Sequence, residues 1–347
     1  MVTSSSVSRV VPFLTCLIVL LSVQVIPAQS PSSTPNPPAV LSPGDLRFSI
    51  THGGLDRSYI VHVPPQAKDA KPLPVVLTFH GGGGSAQGHQ RSSRMDETAD
   101  RAGFLAVYPD GTGRWRDRLL TWNAGSCCGY AFDHHIDDVG FVLALLDDLG
   151  RRTPVDAARV YATGMSNGSM MAYRLANDAS DRIAAVAPVA GGMTFDQITA
   201  PLPVPVMDFH SLDDPRALYH GGEGPPFPMT TRKIMHPDMD KVIAAWVRHN
   251  GCERTPTVAA TLERPADDKA KTPRQTATKY VYGRCRDGAE VVQWKLTGAG
   301  HVWPGSPPFK RQSFLGLGPA TDLIDANTEM WAFFSRFRRF SPSAGSP

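Results

Sequence analysis

The sequence lacks a strong charge of either sign and has no dense block of lysine or arginine. Its 35 Lys and Arg residues nearly balance 32 Asp and Glu residues, so the formal net charge is +3 over 347 residues. A surface that binds nucleic acid usually appears in a sequence as a basic cluster. Nucleic acid is therefore not expected as a partner. The sequence also contains no internal repeat, so a repeat architecture is not expected.

Cysteine is scarce, and the spacing of the five cysteines is unlike that of a metal site. Once Cys16 is assigned to the leader, four remain, and they lack the two C-x₂-C pairs of a structural zinc site. The glycine-rich stretch at 80–84 lacks the Lys and Ser/Thr that follow a phosphate-binding P-loop. We therefore expect neither a metal nor another cofactor.

A long apolar run occurs only near the N-terminus. Val10–Ile26 follows Arg9 and precedes the small residues at 28–30, as in a secretory signal peptide. The run contains a proline and is short for a membrane span, so no stable membrane anchor is expected. The sequence predicts a signal peptide over 1–30 and secretion to the periplasm or the extracellular space.

The remaining chain predicts one large folded domain between two irregular segments. Residues 31–45 are rich in Pro and Ser and are typical of a linker, and 341–347 resemble a disordered tail. Within 46–340, apolar strand patterns alternate with helical patterns, which is typical of a mostly parallel sheet with helices on both faces. The predicted strands are 59–63, 75–79, 104–108, 159–163, 183–189, 204–210, 279–283 and 291–296, and the predicted helices are 91–102, 138–151, 169–177, 240–249 and 322–337.

The most informative motif is Gly-Met-Ser-Asn-Gly at 164–168. It lies between a predicted strand and a predicted helix, the context in which G-x-S-x-G forms a nucleophile elbow. Glycines on both sides allow the tight turn, and the turn exposes the serine hydroxyl. Ser166 is therefore the candidate nucleophile.

A serine nucleophile needs a base and a carboxylate that orients the base. His301 follows the predicted strand 291–296 within a Gly-Ala-Gly-His sequence, so it is the candidate base. Asp213 and Asp214 follow the strand 204–210. We favour Asp214 as the acid, because Pro215 restricts the turn after it, whereas Asp213 resembles a solvated turn residue.

The candidate oxyanion hole combines two backbone N–H groups. One belongs to Asn167, directly after the serine, and the other to the glycine loop, with Gly82 preferred over Gly81. Three aromatic side chains are candidates for substrate binding: Trp303, Trp122 and Tyr219. A further cluster, His134, His135, Asp137 and Asp138, resembles a metal site, but helix capping and loop roles are the favoured interpretation.

The sequence contains eight motifs in a fixed order: HGGGGSA (80–86), YPDG (108–111), TWN (121–123), GSCCG (125–129), DDVGF (137–141), GMSNGSMMAYRLA (164–176), HxxxDP (210–215) and GHVWPG (300–305). Together they resemble those of one family of α/β-hydrolases, the secreted polyhydroxybutyrate depolymerases and feruloyl or acetyl-xylan esterases. The resemblance covers roughly residues 50–340 and implies the α/β-hydrolase fold. It implies the triad Ser166, Asp214 and His301, with Gly82 in the oxyanion hole.

The expected activity is hydrolysis of carboxylic esters through an acyl-enzyme, by a monomer. The substrates expected are hydroxyalkanoate oligomers or polyester, or feruloyl and other aryl esters. Two alternatives remain, a serine peptidase of the same fold and an inactive binding protein on the same scaffold.

Secretion would expose the four remaining cysteines to an oxidising compartment. Cys252 and Cys285 lie in one C-terminal segment and are the favoured pair. Cys127 and Cys128 then either join each other or remain free thiols. Four cysteines allow three pairings. In the other two, a pair of disulfides joins each of Cys127 and Cys128 to Cys252 or Cys285.

Overall fold

The computed structural model describes residues 40–115, 118–226, 233–267, 273–308 and 315–339, with residues 1, 2, 4, 5 and 8. The chain divides into Met1–Pro37 and Pro38–Pro347, and the architecture below is that of the second part. Most of the predicted signal peptide and linker, and the whole tail, lie outside the described residues. Among the helices that are described, none has both the length and the apolar character needed to cross a bilayer.

Among the described residues, ten strands form one large sheet and two more form a small hairpin. The twelve strands are β1 (Gly44–His52), β2 (Leu55–Val63), β3 (Leu73–Phe79), β4 (Leu105–Pro109), β5 (Val155–Met165), β6 (Ala185–Val189), β7 (Val206–Ser211), β8 (His220–Glu223), β9 (Met235–Asp238), β10 (Thr257–Arg264), β11 (Gln275–Tyr282) and β12 (Val291–Thr297).

The strand order of the large sheet is β1-β2-β4-β3-β5-β6-β7-β12-β11-β10. The six central strands, from β4 to β12 in this order, are all parallel. Antiparallel strands extend the sheet at both edges. The carboxyl ends of the central strands consequently lie along one edge of the sheet, where ligand sites of such folds form.

In the described part of the chain, seven α-helices accompany the sheet. They are α1 (Ala86–Ser93), α2 (Met95–Ala102), α3 (Gly129–Asp133), α4 (Asp138–Arg152), α5 (Asn167–Asp178), α6 (Met239–Asn250) and α7 (Ala326–Phe334).

Each central strand supplies side chains to two separate cores, because alternate residues of a strand point to opposite faces. In β4, Leu105 and Val107 pack in the core that includes α4, α5 and α6. Their neighbours Ala106 and Tyr108 pack in the core that includes α2 and α7. The predicted α/β architecture, a mostly parallel sheet covered on both faces, is confirmed.

The structure corrects several element boundaries. The helix predicted over 91–102 is two helices, because Arg94 adopts a left-handed conformation (φ 55°) and separates α1 from α2. The closing helix is shorter than predicted, since Asp325 caps it by accepting a hydrogen bond from the Thr328 N–H at 2.7 Å. Strand β1 starts at Gly44, inside the predicted linker, and β1, β8, β9 and β10 were not predicted.

The favoured pairing of Cys252 with Cys285 is confirmed, and of the two alternatives left open for Cys127 and Cys128 the structure has the bond between them. Cys252 at the end of α6 is joined to Cys285 after β11, and Cys127 is joined to Cys128. The first bond connects the end of a helix to the segment after β11, the antiparallel strand next to the edge strand β10.

Candidate active site

Four segments that follow parallel strands come together at one edge of the sheet. Ser166 follows β5, and the glycine loop follows β3, its neighbour. Asp214 follows β7, and His301 follows the neighbouring β12. The sequence places these residues far apart, and the parallel strand order brings them to a common edge.

The turn at Ser166 has the geometry of a nucleophile elbow. Ser166 has φ 57° and ψ −118°, a conformation that a non-glycine residue rarely adopts. Its N–H donates to the carbonyl of Val189 at 2.9 Å, which holds the turn against β6. A Cβ at Gly164 would lie 2.5 Å from the Gly168 carbonyl oxygen, and one at Gly168 would overlap the Phe79 carbonyl. Both glycines are therefore required by close backbone approach.

His301 and Asp214 form a buried pair. The Nδ1 of His301 lies 2.8 Å from Oδ2 of Asp214, whose residue is 3% exposed. The other oxygen, Oδ1, accepts the backbone N–H groups of Arg216 and Ala217, both at 2.8 Å. Burial raises the pKa of Asp214, but His301 and the hydrogen bonds outweigh it, so the pKa lies below its usual value. An ionised Asp214 places the imidazole proton on Nδ1 and leaves Nε2 as the basic nitrogen.

The adjacent Asp213 has a different environment. It is exposed, and its Oδ2 accepts the backbone N–H of Gly298 at 2.7 Å. Asp213 therefore braces the loop that carries His301 and does not contact the imidazole. This geometry agrees with the preference for Asp214 over Asp213.

The glycine loop leaves two N–H groups available. The N–H of Gly83 donates to Leu120 at 2.8 Å, and that of Gly84 donates to Gly81 at 2.9 Å. Within the described ranges, the N–H groups of Gly81, Gly82 and Asn167 have no acceptor. These three residues line the same cavity as Ser166. The geometry supports Gly82 and Asn167 as oxyanion donors, and Gly81 remains the alternative.

His80 fixes the conformation of this loop. Its Nε2 accepts the N–H of Gly111 at 3.0 Å, so Nδ1 carries the proton and donates to the carbonyl of Gly81 at 2.8 Å. Burial lowers the pKa of His80 to about 4, which keeps the ring neutral near pH 7. This role was not predicted, although His80 opens the recognised HGGGG motif.

Asn167 and Trp122 are joined by two hydrogen bonds. The Trp122 N–H donates to Oδ1 of Asn167 at 2.7 Å, and Nδ2 of Asn167 donates to the Trp122 carbonyl at 3.1 Å. The Trp122 indole N–H donates to the carbonyl of His80 at 2.9 Å. Trp122 thus links the elbow to the glycine loop.

The three predicted aromatic residues have different positions. Trp303 lines the cavity, and its indole N–H donates to Asn327 at 2.9 Å, which agrees with a substrate-facing role. Trp122 and Tyr219 are 0% and 1% exposed and are not among the described residues that line it. Tyr219 instead packs edge-on against His210, 5.6 Å between ring centres. The structure therefore does not bring Trp122 or Tyr219 to the described cavity wall, and direct substrate binding by these two residues stays a prediction.

The cavity at this edge has a volume of about 700 Å³. Its described walls are mainly apolar, and Cys128 of the Cys127–Cys128 pair contributes to them beside Met170. Two polar residues also line it, Arg216 and His236, which were not predicted as site residues from the sequence. Arg216 lies in the irregular segment before the β8–β9 hairpin and His236 lies in the short strand β9, and no sequence motif marks either residue.

The His134–Asp138 cluster has structural roles. Asp137 caps α4 by accepting the Gly140 N–H at 2.9 Å, and it lies 3.0 Å from Nε2 of His52. Asp138 is fully buried and lies 2.7 Å from Arg57. His134 is hydrogen-bonded to the Tyr130 carbonyl. The favoured interpretation, helix capping, is confirmed for Asp137.

Another group has atoms that could ligate a metal, outside the cavity. Atoms of Asp45, His62 and Asp96 lie within 4.8 Å of one another. His62 already contacts Asp45 at 2.6 Å and Asp100 at 3.0 Å. Burial lowers the pKa of His62, but the surrounding carboxylates together have the larger, opposite effect. The pKa of His62 is therefore raised above its usual value. An ion-pair network accounts for this arrangement.

Comparison with known proteins identifies relatives of this site. Residues 57–252 match the family model described as Esterase PHB depolymerase. This chain is 29% identical over 289 residues to NocK of Nocardia uniformis subsp. tsuyamanensis. The name of that protein assigns it only provisionally to the esterases. That alignment covers 79% of this chain and 77% of NocK. Feruloyl esterase B of Piromyces equi is 26% identical over 71% of this chain, but the match spans only 42% of that enzyme.

Solved structures agree at the level of the fold. The crystal structure of a thermostable esterase superposes with a TM-score of 0.52 at 13% identity, over 85% of this chain and 63% of the other. At this identity the likeness concerns the fold alone.

Proposed function

The chain belongs to the esterase PHB depolymerase family and is a carboxylic ester hydrolase, and we propose that it works as a serine esterase through an acyl-enzyme. The observation that carries the proposal is the buried pair of His301 and Asp214, whose side chains are 2.8 Å apart. His301 lines the same cavity as Ser166, which has the strained backbone of a nucleophile elbow. These are the nucleophile, base and orienting acid of serine hydrolases.

In the proposed first half-reaction, Nε2 of His301 takes the Ser166 proton as Oγ bonds to the ester carbonyl carbon. The N–H groups of Gly82 and Asn167 hold the carbonyl oxygen as it becomes negative. The bond to the alkoxy oxygen then breaks, and the imidazolium returns the proton to the departing alcohol. In the second half-reaction, water attacks the acyl-enzyme with the same base, which releases the acid and restores Ser166.

Two substrate classes are proposed, esters of hydroxyalkanoate oligomers and feruloyl or other aryl esters. The mainly apolar cavity and Trp303 suit an acyl chain or an aromatic ring. The family model supports the first class, and the name of the Piromyces equi relative supports the second. The mechanism calls for no cofactor, because three side chains and two backbone N–H groups supply its chemistry.

We also propose that the protein is secreted and acts as a monomer. The leader pattern at 1–30 supports export, as do two disulfides, which persist in oxidising compartments. Sequencing the N-terminus of exported protein tests the first part, and light scattering of that protein tests the second. A retained leader or a stable oligomer would contradict the respective part.

The mechanism is tested with Ser166→Ala and, as a matched control, Ser126→Ala at an exposed serine. Each variant is assayed on 4-nitrophenyl butyrate, methyl ferulate and 3-hydroxybutyrate oligomers, and labelled with an organophosphonate. We expect Ser166→Ala to lose turnover by about 10⁴-fold or more and to lose labelling, while Ser126→Ala keeps both. Substantial turnover by folded Ser166→Ala would disprove the mechanism, and an inactive wild-type protein would favour the binding-protein alternative.

A further inference from the structure

The cavity carries a positive charge that the proposed mechanism does not use. Arg216 lines it, and among its described lining residues Arg216 is the single side chain that is charged at any ordinary pH. No Asp or Glu side chain belongs to that described lining. A cation in a mainly apolar cavity attracts an anion more strongly than it would in water.

Arg216 has unused hydrogen-bonding capacity. Its Nη2 donates to the carbonyl of Pro226 at 3.0 Å, which anchors one end of the guanidinium. Within the part of the chain that the structure describes, no ion pair joins Arg216 to a carboxylate. A guanidinium has five N–H donors in a planar fork that matches a carboxylate. Several of these donors remain for a ligand.

A second polar group lies in the same wall. His236 is 8% exposed, and its Nδ1 has no hydrogen-bond partner in the described chain. Burial lowers the pKa of His236 to about 4, so the ring is neutral near pH 7. Arg216 therefore supplies the charge, and His236 offers a neutral polar group beside it.

The position of Arg216 in the chain indicates which part of a substrate it faces. Arg216 is two residues from Asp214, and its backbone N–H donates to the Asp214 carboxylate that orients His301. His301 is the group that protonates the departing alkoxy oxygen. The side of the cavity next to the Asp214–His301 pair is thus the side of the alcohol portion of the ester.

Building on the proposed esterase function, we infer that Arg216 binds a carboxylate on the alcohol portion of the substrate. An ester of a hydroxy acid with a free carboxyl end has this chemistry, since its leaving alcohol is itself a carboxylic acid. Short hydroxyalkanoate oligomers belong to this class. A feruloyl ester of a neutral sugar does not, so the inference distinguishes the two proposed substrate classes.

The test compares two substrates that differ in one charge, the 3-hydroxybutyrate dimer with a free carboxylate and its methyl ester. In the wild-type protein we expect a higher kcat/KM for the free acid. Arg216→Gln should lower the ratio of the two kcat/KM values by about tenfold or more, chiefly through KM for the acid. Arg216→Lys should keep part of the ratio, because the charge remains without the planar fork.

Two controls separate this effect from a general one. Arg248→Gln removes the same charge at an exposed position in α6, away from the described cavity walls, and should leave the ratio unchanged. Raising salt from about 0.05 M to about 0.5 M should lower the ratio in wild type and not in Arg216→Gln. Melting curves confirm that each variant is folded.

The inference is overturned if Arg216→Gln leaves the ratio unchanged, or if Arg248→Gln lowers it equally. Its failure can be told apart from failure of the esterase mechanism. A protein that cleaves the methyl ester and 4-nitrophenyl butyrate through Ser166, but shows no Arg216-dependent ratio, retains the mechanism and loses only the carboxylate subsite.

Discussion

At the scale of single residues, two adjacent aspartates have separate tasks. Asp214 is buried, and both its oxygens are occupied, one by His301 and one by two backbone N–H groups. Asp213 is exposed and accepts one N–H from the loop that carries the histidine. The local sequence offers two carboxylates, and the direction in which each points decides which one can orient the base.

Exchanging each aspartate for asparagine tests this difference. Asp214→Asn should lower kcat by about 10³- to 10⁴-fold, because an amide allows the imidazole to adopt the wrong tautomer. Asp213→Asn makes the same chemical change and should cost less than about tenfold, since an amide oxygen still accepts the Gly298 N–H. Steady-state kinetics on 4-nitrophenyl butyrate measure both, and a larger loss for Asp213→Asn would reverse the assignment.

At the scale of elements, a buried ion pair connects strand β2 to the start of α4. Arg57 and Asp138 are 2.7 Å apart, with side chains 1% and 0% exposed. The Arg57 guanidinium also lies 3.8 Å from the ring centre of Phe141. Burial raises the pKa of Asp138, and Arg57 lowers it, with burial dominant. The helix position on the sheet therefore depends on keeping this carboxylate paired.

Removing one partner of this pair should destabilise the fold strongly. Arg57→Met leaves Asp138 buried without its cation, and we expect the free energy of unfolding to fall by about 3–5 kcal/mol. Arg47→Met removes a comparable but half-exposed pair with Asp110, 2.9 Å apart, and should cost about 1 kcal/mol or less. Urea denaturation measures both, and equal losses would contradict a special role for the buried pair.

The Cys252–Cys285 bond also acts between elements, since it connects the end of α6 to the segment after β11. The two cysteines are 33 residues apart, and closing such a loop in the unfolded chain corresponds to about 3–4 kcal/mol in the chain-entropy model. We expect Cys252→Ser with Cys285→Ser to lower Tm while kcat at room temperature is kept. Loss of kcat in a folded variant would show that this bond also shapes the cavity.

At the scale of the whole molecule, buried ionisable groups make stability depend on pH. Burial lowers the pKa of His80 to about 4, of His89 to about 3 and of His236 to about 4. The unfolded chain binds these protons near pH 6.5, so stability should fall as pH drops from about 6.5 to about 4.

Asp208 acts in the opposite direction, because burial raises its pKa to about 7. The unfolded chain releases this proton near pH 4, so the cost in stability grows as pH rises from about 4 to about 7.

Asp208→Asn isolates the second effect. The amide side chain of this variant cannot ionise, so we expect the gain in stability over wild type to be larger at pH 8 than at pH 5, by on the order of 2 kcal/mol. Asp213→Asn changes the charge equally at an exposed site and should show no such difference. Urea denaturation at the two pH values decides, and a gain that is the same at both would contradict a raised pKa of Asp208.

The sequence by itself determined the elements whose signals are local. The strands around the glycine loop, the Ser166 elbow and His301 were predicted from short apolar runs followed by glycines, and the ordered motifs identified the family. Boundaries failed where a backbone conformation decides them, as at Arg94. Strand β10 was missed because it is an edge strand with most of its residues exposed, so no apolar run marks it.

Only the tertiary structure decided which side chains share the cavity. Trp122 and Trp303 both lie in loops. Hydrogen bonds to Asn167 and His80 hold Trp122 in the interior, whereas Trp303 lines the cavity. Arg216 and His236 are 20 residues apart, one in a loop and the other in the short strand β9, and only folding brings both to the same cavity. A sequence pattern records the period of a strand or helix, whereas the direction of a loop side chain depends on contacts with residues far away in the chain.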